Sequence, residues 1–146
     1  MKKIALISCT SKKDEASKHM PVKASELYTS ALFVKAWKYA KDVLKVDEIY
    51  ILSAKHHLLD PGTKVMYYNE SLVGKSVKDI KNWSDIVKGQ MKQAEFDFNN
   101  DEFIILAGKN YHKYLIDSDF KNVVYPYAKC KGIGYILQYL NKQIEI

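Results

Sequence analysis

The segment Ser53-Ala-Lys-His-His-Leu-Leu-Asp60 sets a hydroxyl, an ammonium, two imidazoles and a carboxylate in one short stretch, and Pro61 stops a regular element from continuing through it. A histidine held there can move protons near neutral pH if a carboxylate orients it, and the nearest carboxylates in sequence are Asp60 and Glu70. His56, Asp60 and Glu70 are therefore the catalytic candidates, with Ser53 and Lys55 as binding groups beside them. The imidazoles of His56 and His57 are adjacent in sequence, so they diverge and make a poor pair of metal ligands. No Cys/His spacing in the chain resembles a zinc site, and neither a metal nor a cofactor is expected. The plainer reading makes both histidines surface or packing residues.

Three further stretches carry capable groups: Ser8-Cys9 with Lys12 and Lys13, Gly108-Lys109 with Tyr111, and Lys131-Gly132. Lysines and small residues that expose backbone N–H groups suit phosphate or another anion. The Cys9 thiol can gain nucleophilicity from a helix N-terminus or from Lys12, or it can be a small buried residue under its loop. Tyr67, Tyr68 and Tyr111, with Tyr125 and Tyr127 around Pro126, can stack a base or simply close the edge of a core. Gly132-Ile-Gly134 matches neither the dinucleotide nor the P-loop spacing and reads as a helix-entry turn.

The elements that must position these groups follow from hydrophobic pattern. Lys3–Ile7, Glu48–Leu52, Phe103–Leu106 and Asn122–Tyr125 are short, mostly apolar runs that read as strands covered on both faces. Between them, apolar residues three or four apart predict helices over Ser25–Leu44 and, from a Ser76/Asp79 capping box, onward through Ala94. Shorter helices are expected over Tyr111–Leu115 and Gly134–Asn141. Strands alternating with helices predict an α/β fold, a three-layer sandwich with a mainly parallel, four-stranded central sheet flanked by helices. In such a sheet the reactive loops converge on one rim, where ligands of this architecture bind. The aperiodic stretches 10–24 and 60–75 are long enough to wall a cleft there.

One domain over residues 1–146 fits the length, and 47% hydrophobic with 27% charged residues is a globular balance. The net charge of +6 comes from lysine alone, with no arginine in the chain. Lysine attracts polyanions but lacks the planar fork that reads guanine or clamps phosphate in two bonds. The same bias also keeps a surface soluble without any partner. The apolar run after Met1 is too short for a signal peptide and no long hydrophobic segment follows, so a cytoplasmic protein with no membrane partner and two reduced cysteines, Cys9 and Cys130, is expected.

Ser8-Cys9, Glu26-Leu-Tyr-Thr-Ser-x-x-Phe33, Ile51-Leu-Ser-Ala-Lys-His-x-Leu-Leu-x-Pro61, Tyr68-Asn-x-Ser-Leu72, Leu106-Ala-Gly-x-x-Tyr111 and Pro126 before Gly132-x-Gly134 follow one another in an order that resembles small bacterial and phage α/β domains. These are the YaaA-like or domain-of-unknown-function 6884 proteins. The resemblance implies DNA binding and protection against oxidative stress, and it draws Tyr68 and Asn69 into the expected ligand site. Three positions depart from the family pattern: His57 and Lys129 stand where glycine is expected, and Asn69 where aspartate is expected. A looser similarity to the uracil-DNA-glycosylase-like fold implies hydrolysis of an N-glycosidic bond on a flipped base. The expected function is a domain that handles nucleic acid or a nucleotide, its partner DNA or a nucleotide bound at a basic rim. The alternatives are a nucleoside-type small-molecule enzyme and a non-catalytic binding or scaffold protein.

Overall fold

The computed structural model describes residues 1–145. In chain order it contains β1 (Lys3–Ser8), a 3₁₀ turn (Glu15–Lys18), β2 (Val22–Lys23), α1 (Ala24–Leu27), α2 (Ala31–Lys38), a π-helical turn (Tyr39–Val43), β3 (Glu48–Ser53), β4 (His57–Leu59), β5 (Lys64–Val65), α3 (Val77–Gln93), β6 (Glu102–Leu106), α4 (Lys109–His112), β7 (Asn122–Val124) and α5 (Ile133–Ile144).

The four apolar runs are parallel strands, but the main sheet has five strands rather than four, in the order β4-β3-β1-β6-β7. The added strand, β4, runs antiparallel at the edge, pairing Leu59 with Ile51 and His57 with Ser53, so the sheet is mixed. It sits inside the stretch read as a reactive loop, because a tight turn at Ala54-Lys-His56 folds the chain straight back. His57 enters β4 at φ 63°, in the left-handed region that favours glycine. A second, two-stranded sheet pairs β2 with β5 and ties the two long aperiodic stretches together.

The expected helix over Ser25–Leu44 is three pieces. Ser30 accepts a hydrogen bond from the Phe33 N–H and opens α2 afresh, and the final turn widens into a π-helix. Apolar spacing runs through the break because both segments face the same core, which holds Leu27, Phe33, Ala36 and Ala40. The Ser76 cap holds as expected, its Oγ accepting from the Asp79 N–H at 3.1 Å. Ile4, Ala5, Leu6 and Ile7 of β1 are all buried, so the central strand is covered on both faces. Beside it, Phe96, Phe98, Phe103 and Phe120 pack ring on ring with centroids 4.8–6.0 Å apart. Phe96, Phe103 and Phe120 are buried, and full burial of a side chain of this size stabilises a fold by about 1.5–3 kcal/mol, which holds the strands against the helices. Among the described residues no helix is long and apolar enough to cross a membrane.

Candidate functional site at the switch point of the sheet

From β1 the chain moves to β3 on one side, and it later crosses to β6 on the other. The loops leaving β1 and β6 therefore depart in opposite directions and leave a crevice beyond the carboxyl ends of these neighbouring strands, the place where open α/β sheets bind ligands. Cys9 and Tyr111 join the two loops across it, Sγ to hydroxyl at 3.3 Å. A narrow inner cavity of about 170 Å³ lies here, lined by Ile7, Ser8, Leu106, Gly108 and Tyr111. It adjoins a wider one of about 740 Å³ that shares Gly108, Tyr127, Ile133 and Ile136 with it and also meets Lys109, His112, Cys130, Lys131 and Gly132.

The walls of the wider cavity are apolar, from Ile105, Ala107, Ile133 and Ile136, and its polar groups are cationic or neutral. Among the described residues no carboxylate lines it. Gly132 is the N-cap of α5 and supplies no side-chain cap, and the first turn of α5 holds no acidic residue. The positive end of that helix dipole, with Lys131 before it and Lys109 across the cavity, leaves a concentration of positive charge with no counter-charge on the lining. Burial and the Lys109 ammonium hold the His112 imidazole below its ordinary pKa.

Behind Cys9 lies a buried hydroxyl network. The Ser53 hydroxyl bonds the Tyr68 hydroxyl at 2.8 Å and accepts the His56 N–H at 2.9 Å, and Tyr68 in turn bonds Tyr28. The Trp83 indole N–H donates to the Ser53 carbonyl at 2.9 Å, and the Trp83 ring meets Tyr111 edge-on. Desolvation pushes the phenol pKa of Tyr28 up to about 12 and raises those of Tyr68 and Tyr111 as well, so these hydroxyls are neutral donors and acceptors. Lys13 is buried with no carboxylate partner; its Nζ lies 4.5 Å from the centre of the Tyr68 ring and donates to the Ser11 carbonyl. Burial lowers the Lys13 pKa, with the Cys9 sulfur opposing, while the aromatic faces of Tyr28, Tyr67 and Tyr68 favour the cation.

Of the residues singled out in the sequence, Ser8, Cys9, Gly108, Lys109, Tyr111, Lys131 and Gly132 meet at the crevice. Lys13, Ser53 and Tyr68 form the buried network behind it. Lys12 lies in a separate hollow of about 410 Å³ with Ser11, Lys13, Asp14, Glu15, Thr29 and Tyr67. Lys55, Asn69 and Glu70 are exposed. The catalytic set is not assembled as one group. His56 packs edge-on against Tyr68, its pKa lowered by burial and Lys55 and opposed by Glu70. Asp60 follows β4, which carries it back down the sheet away from His56, and its carboxylate accepts the Gly62 N–H in a turn. Tyr28 and Trp83 were not singled out: both occupy helix-like patterns whose apolar spacing hides the polar end of each ring. Among the described residues no group of three His, Cys, Asp or Glu side chains could hold a metal ion.

Comparison with known proteins gives kinship without an activity. A model described as a family of unknown function, DUF6884, matches residues 4–142. The uncharacterized protein YfjM of Bacillus subtilis (strain 168) is 32% identical over 149 aligned positions, which cover 99% of this chain and 97% of that protein.

Proposed function

Because the chain belongs to the DUF6884 family, whose description assigns no activity, we propose its function from the crevice: it binds a phosphorylated aromatic ligand, a nucleotide or a nucleotide unit of nucleic acid. The observation that carries this reading is the cavity of about 740 Å³ at the switch point, apolar along its walls and rimmed by Lys109, Lys131 and the uncapped start of α5. A planar base fits between Ile105, Ile133 and Ile136, and a phosphate meets the lysines and the free N–H groups of the helix. The helix start supports an anion there, since Lys131 beside a positive dipole end is unfavourable until a negative group arrives.

The reading is one of binding rather than glycosidic hydrolysis. Water activation at a sugar asks for a carboxylate or histidine near the bond; Asp60 is remote, and the only imidazole on the lining is that of His112. A nucleoside-type enzyme that ignores nucleic acid is the second reading, favoured by the small inner cavity behind Gly108, of about 170 Å³. Burial of every β1 residue from Ile4 to Ile7 supports the sheet as the middle of three layers, the architecture that the YaaA-like and glycosylase-like resemblances imply.

Calorimetry with adenosine monophosphate, and anisotropy with a labelled oligonucleotide at rising salt, tests the reading. Lys109→Ala and Lys131→Ala should each weaken binding several-fold and lower the salt slope by about one. Affinity that ignores salt, or that survives the double variant unchanged, would rule out phosphate contacts at this rim.

A further inference from the structure

A second groove, of about 400 Å³, opens beside the crevice and shares Tyr125, Ala128 and Cys130 with it. It runs along α5 and is lined by both Lys129 and Lys142, and the helix rises about 14 Å from Ile133 to Lys142. Tyr135 is 59% exposed at its edge and Tyr125 is 39% exposed at the junction with the crevice, so two aromatic faces stand open along one path. Neither lining contains an Asp or Glu, although the chain has 17 of them. Among the described residues none of Lys109, Lys129, Lys131 and Lys142 makes a salt bridge. Unpaired ammonium groups interleaved with exposed rings match the repeat of a nucleic-acid strand, a phosphate and a base at each step.

We infer that the crevice takes one nucleotide of a single strand and that this groove carries the nucleotides flanking it, with bases on Tyr125 and Tyr135 and phosphates on Lys129, Lys131 and Lys142. The inference rests on the crevice reading and narrows its ligand. A duplex does not fit the same surface, because its bases are already stacked and it offers only their edges, which a chain without arginine reads poorly. A free mononucleotide leaves the groove unused.

The test compares a labelled twelve-residue oligothymidylate, the corresponding duplex and thymidine monophosphate on the wild-type chain, Tyr135→Ala and Lys142→Ala. The single strand should bind more tightly than the duplex. Tyr135→Ala should cost it about tenfold, the loss of one stacked base, while mononucleotide affinity stays unchanged. Lys142→Ala should lower the salt slope for the single strand alone. Single-strand binding that depends on Tyr135 while the monophosphate does not bind would remove the crevice reading and leave the groove standing. Equal or tighter duplex binding, or a Tyr135→Ala variant that binds the strand as the wild type does, overturns the inference. So does self-association in sedimentation that disappears in Tyr135→Ala, since the patch would then be a contact between copies of the chain.

Discussion

The Cys9 sulfur and the Tyr111 hydroxyl, 3.3 Å apart, close the space between the loops that leave β1 and β6. Both groups are buried, and the bond joins residues 102 positions apart in the chain. Tyr111→Phe keeps the ring and its edge-on contact with Trp83 but leaves the thiol without this partner, at a cost of about 1 kcal/mol. Urea denaturation should show a lower midpoint at unchanged slope. Alkylation in the native state should also accelerate at Cys9 relative to the half-buried Cys130, because the crevice floor opens more readily. A Cys9 rate equal to that of the wild type would mean that the bond does not hold the loops together.

Ser53 ties the end of β3 to the network behind Cys9. Its hydroxyl bonds Tyr68, accepts the His56 N–H, and is completely buried. Ser53→Ala leaves a phenol and a backbone N–H short of partners in a place that water reaches poorly, and removing such an acceptor costs about 1–3 kcal/mol. Tyr68→Phe removes the hydroxyl that bonds both Ser53 and Tyr28 but leaves the His56 N–H its acceptor, so it is the milder change only where that backbone N–H is the costlier orphan. Paired denaturation curves give that order. An Ser53→Ala variant as stable as the wild type would show that water replaces the hydroxyl.

The parallel part of this arrangement was legible because residues of β1, β3 and β6 are apolar at successive positions, a pattern that only a strand covered on both faces requires. The edge strand was not. His57-Leu-Leu59 is too short to show a period, and its polar first residue looked like part of a reactive loop. That omission moved Asp60: a loop residue would have stayed near His56, whereas the residue after an antiparallel strand is carried down the sheet. Tyr28 was hidden for the opposite reason, since it continues a helical apolar spacing across a break marked only by the Ser30 cap. Lys109, Tyr111 and Lys131 could be grouped from sequence because parallel strands send their following loops to one rim. Which of those loops share a crevice depends on strand order, and no local pattern encodes that order.

His57 has a backbone that suits a different residue. At φ 63° an L side chain is disfavoured by about 1–2 kcal/mol relative to the right-handed form, while glycine adopts this region freely. The imidazole gains back part of that by stacking on Trp83, ring centres 6.5 Å apart. His57→Ala removes the stacking and keeps the backbone penalty; His57→Gly removes both, at the expense of a more flexible unfolded chain. The glycine variant should therefore exceed the alanine variant in stability by up to about 1 kcal/mol, in a comparison where glycine ordinarily loses. If alanine is the more stable of the two, the turn into β4 is relaxed in solution and carries no such constraint.

Acid should weaken the fold through its histidines before it reaches the carboxylates. Burial holds the imidazoles of His56, His57 and His112 below their ordinary range, with Lys55 adding to the effect at His56 and Lys109 at His112, and Glu70 opposing at His56 and His57. The unfolded chain then takes up protons at a higher pH than the folded one. With more protons bound in the unfolded state, stability rises with pH, and what is present above about pH 6.5 is lost progressively as the pH falls below it. Thermal unfolding should give a lower midpoint at pH 5.5 than at pH 7.5, with most of the change below 6.5. Replacing His112 by Gln should flatten part of that slope without touching the Ser53 network, since the imidazole lies on the crevice wall rather than behind Cys9. A midpoint that does not move between these two values would mean that the three imidazoles are as well solvated in the folded chain as in the unfolded one.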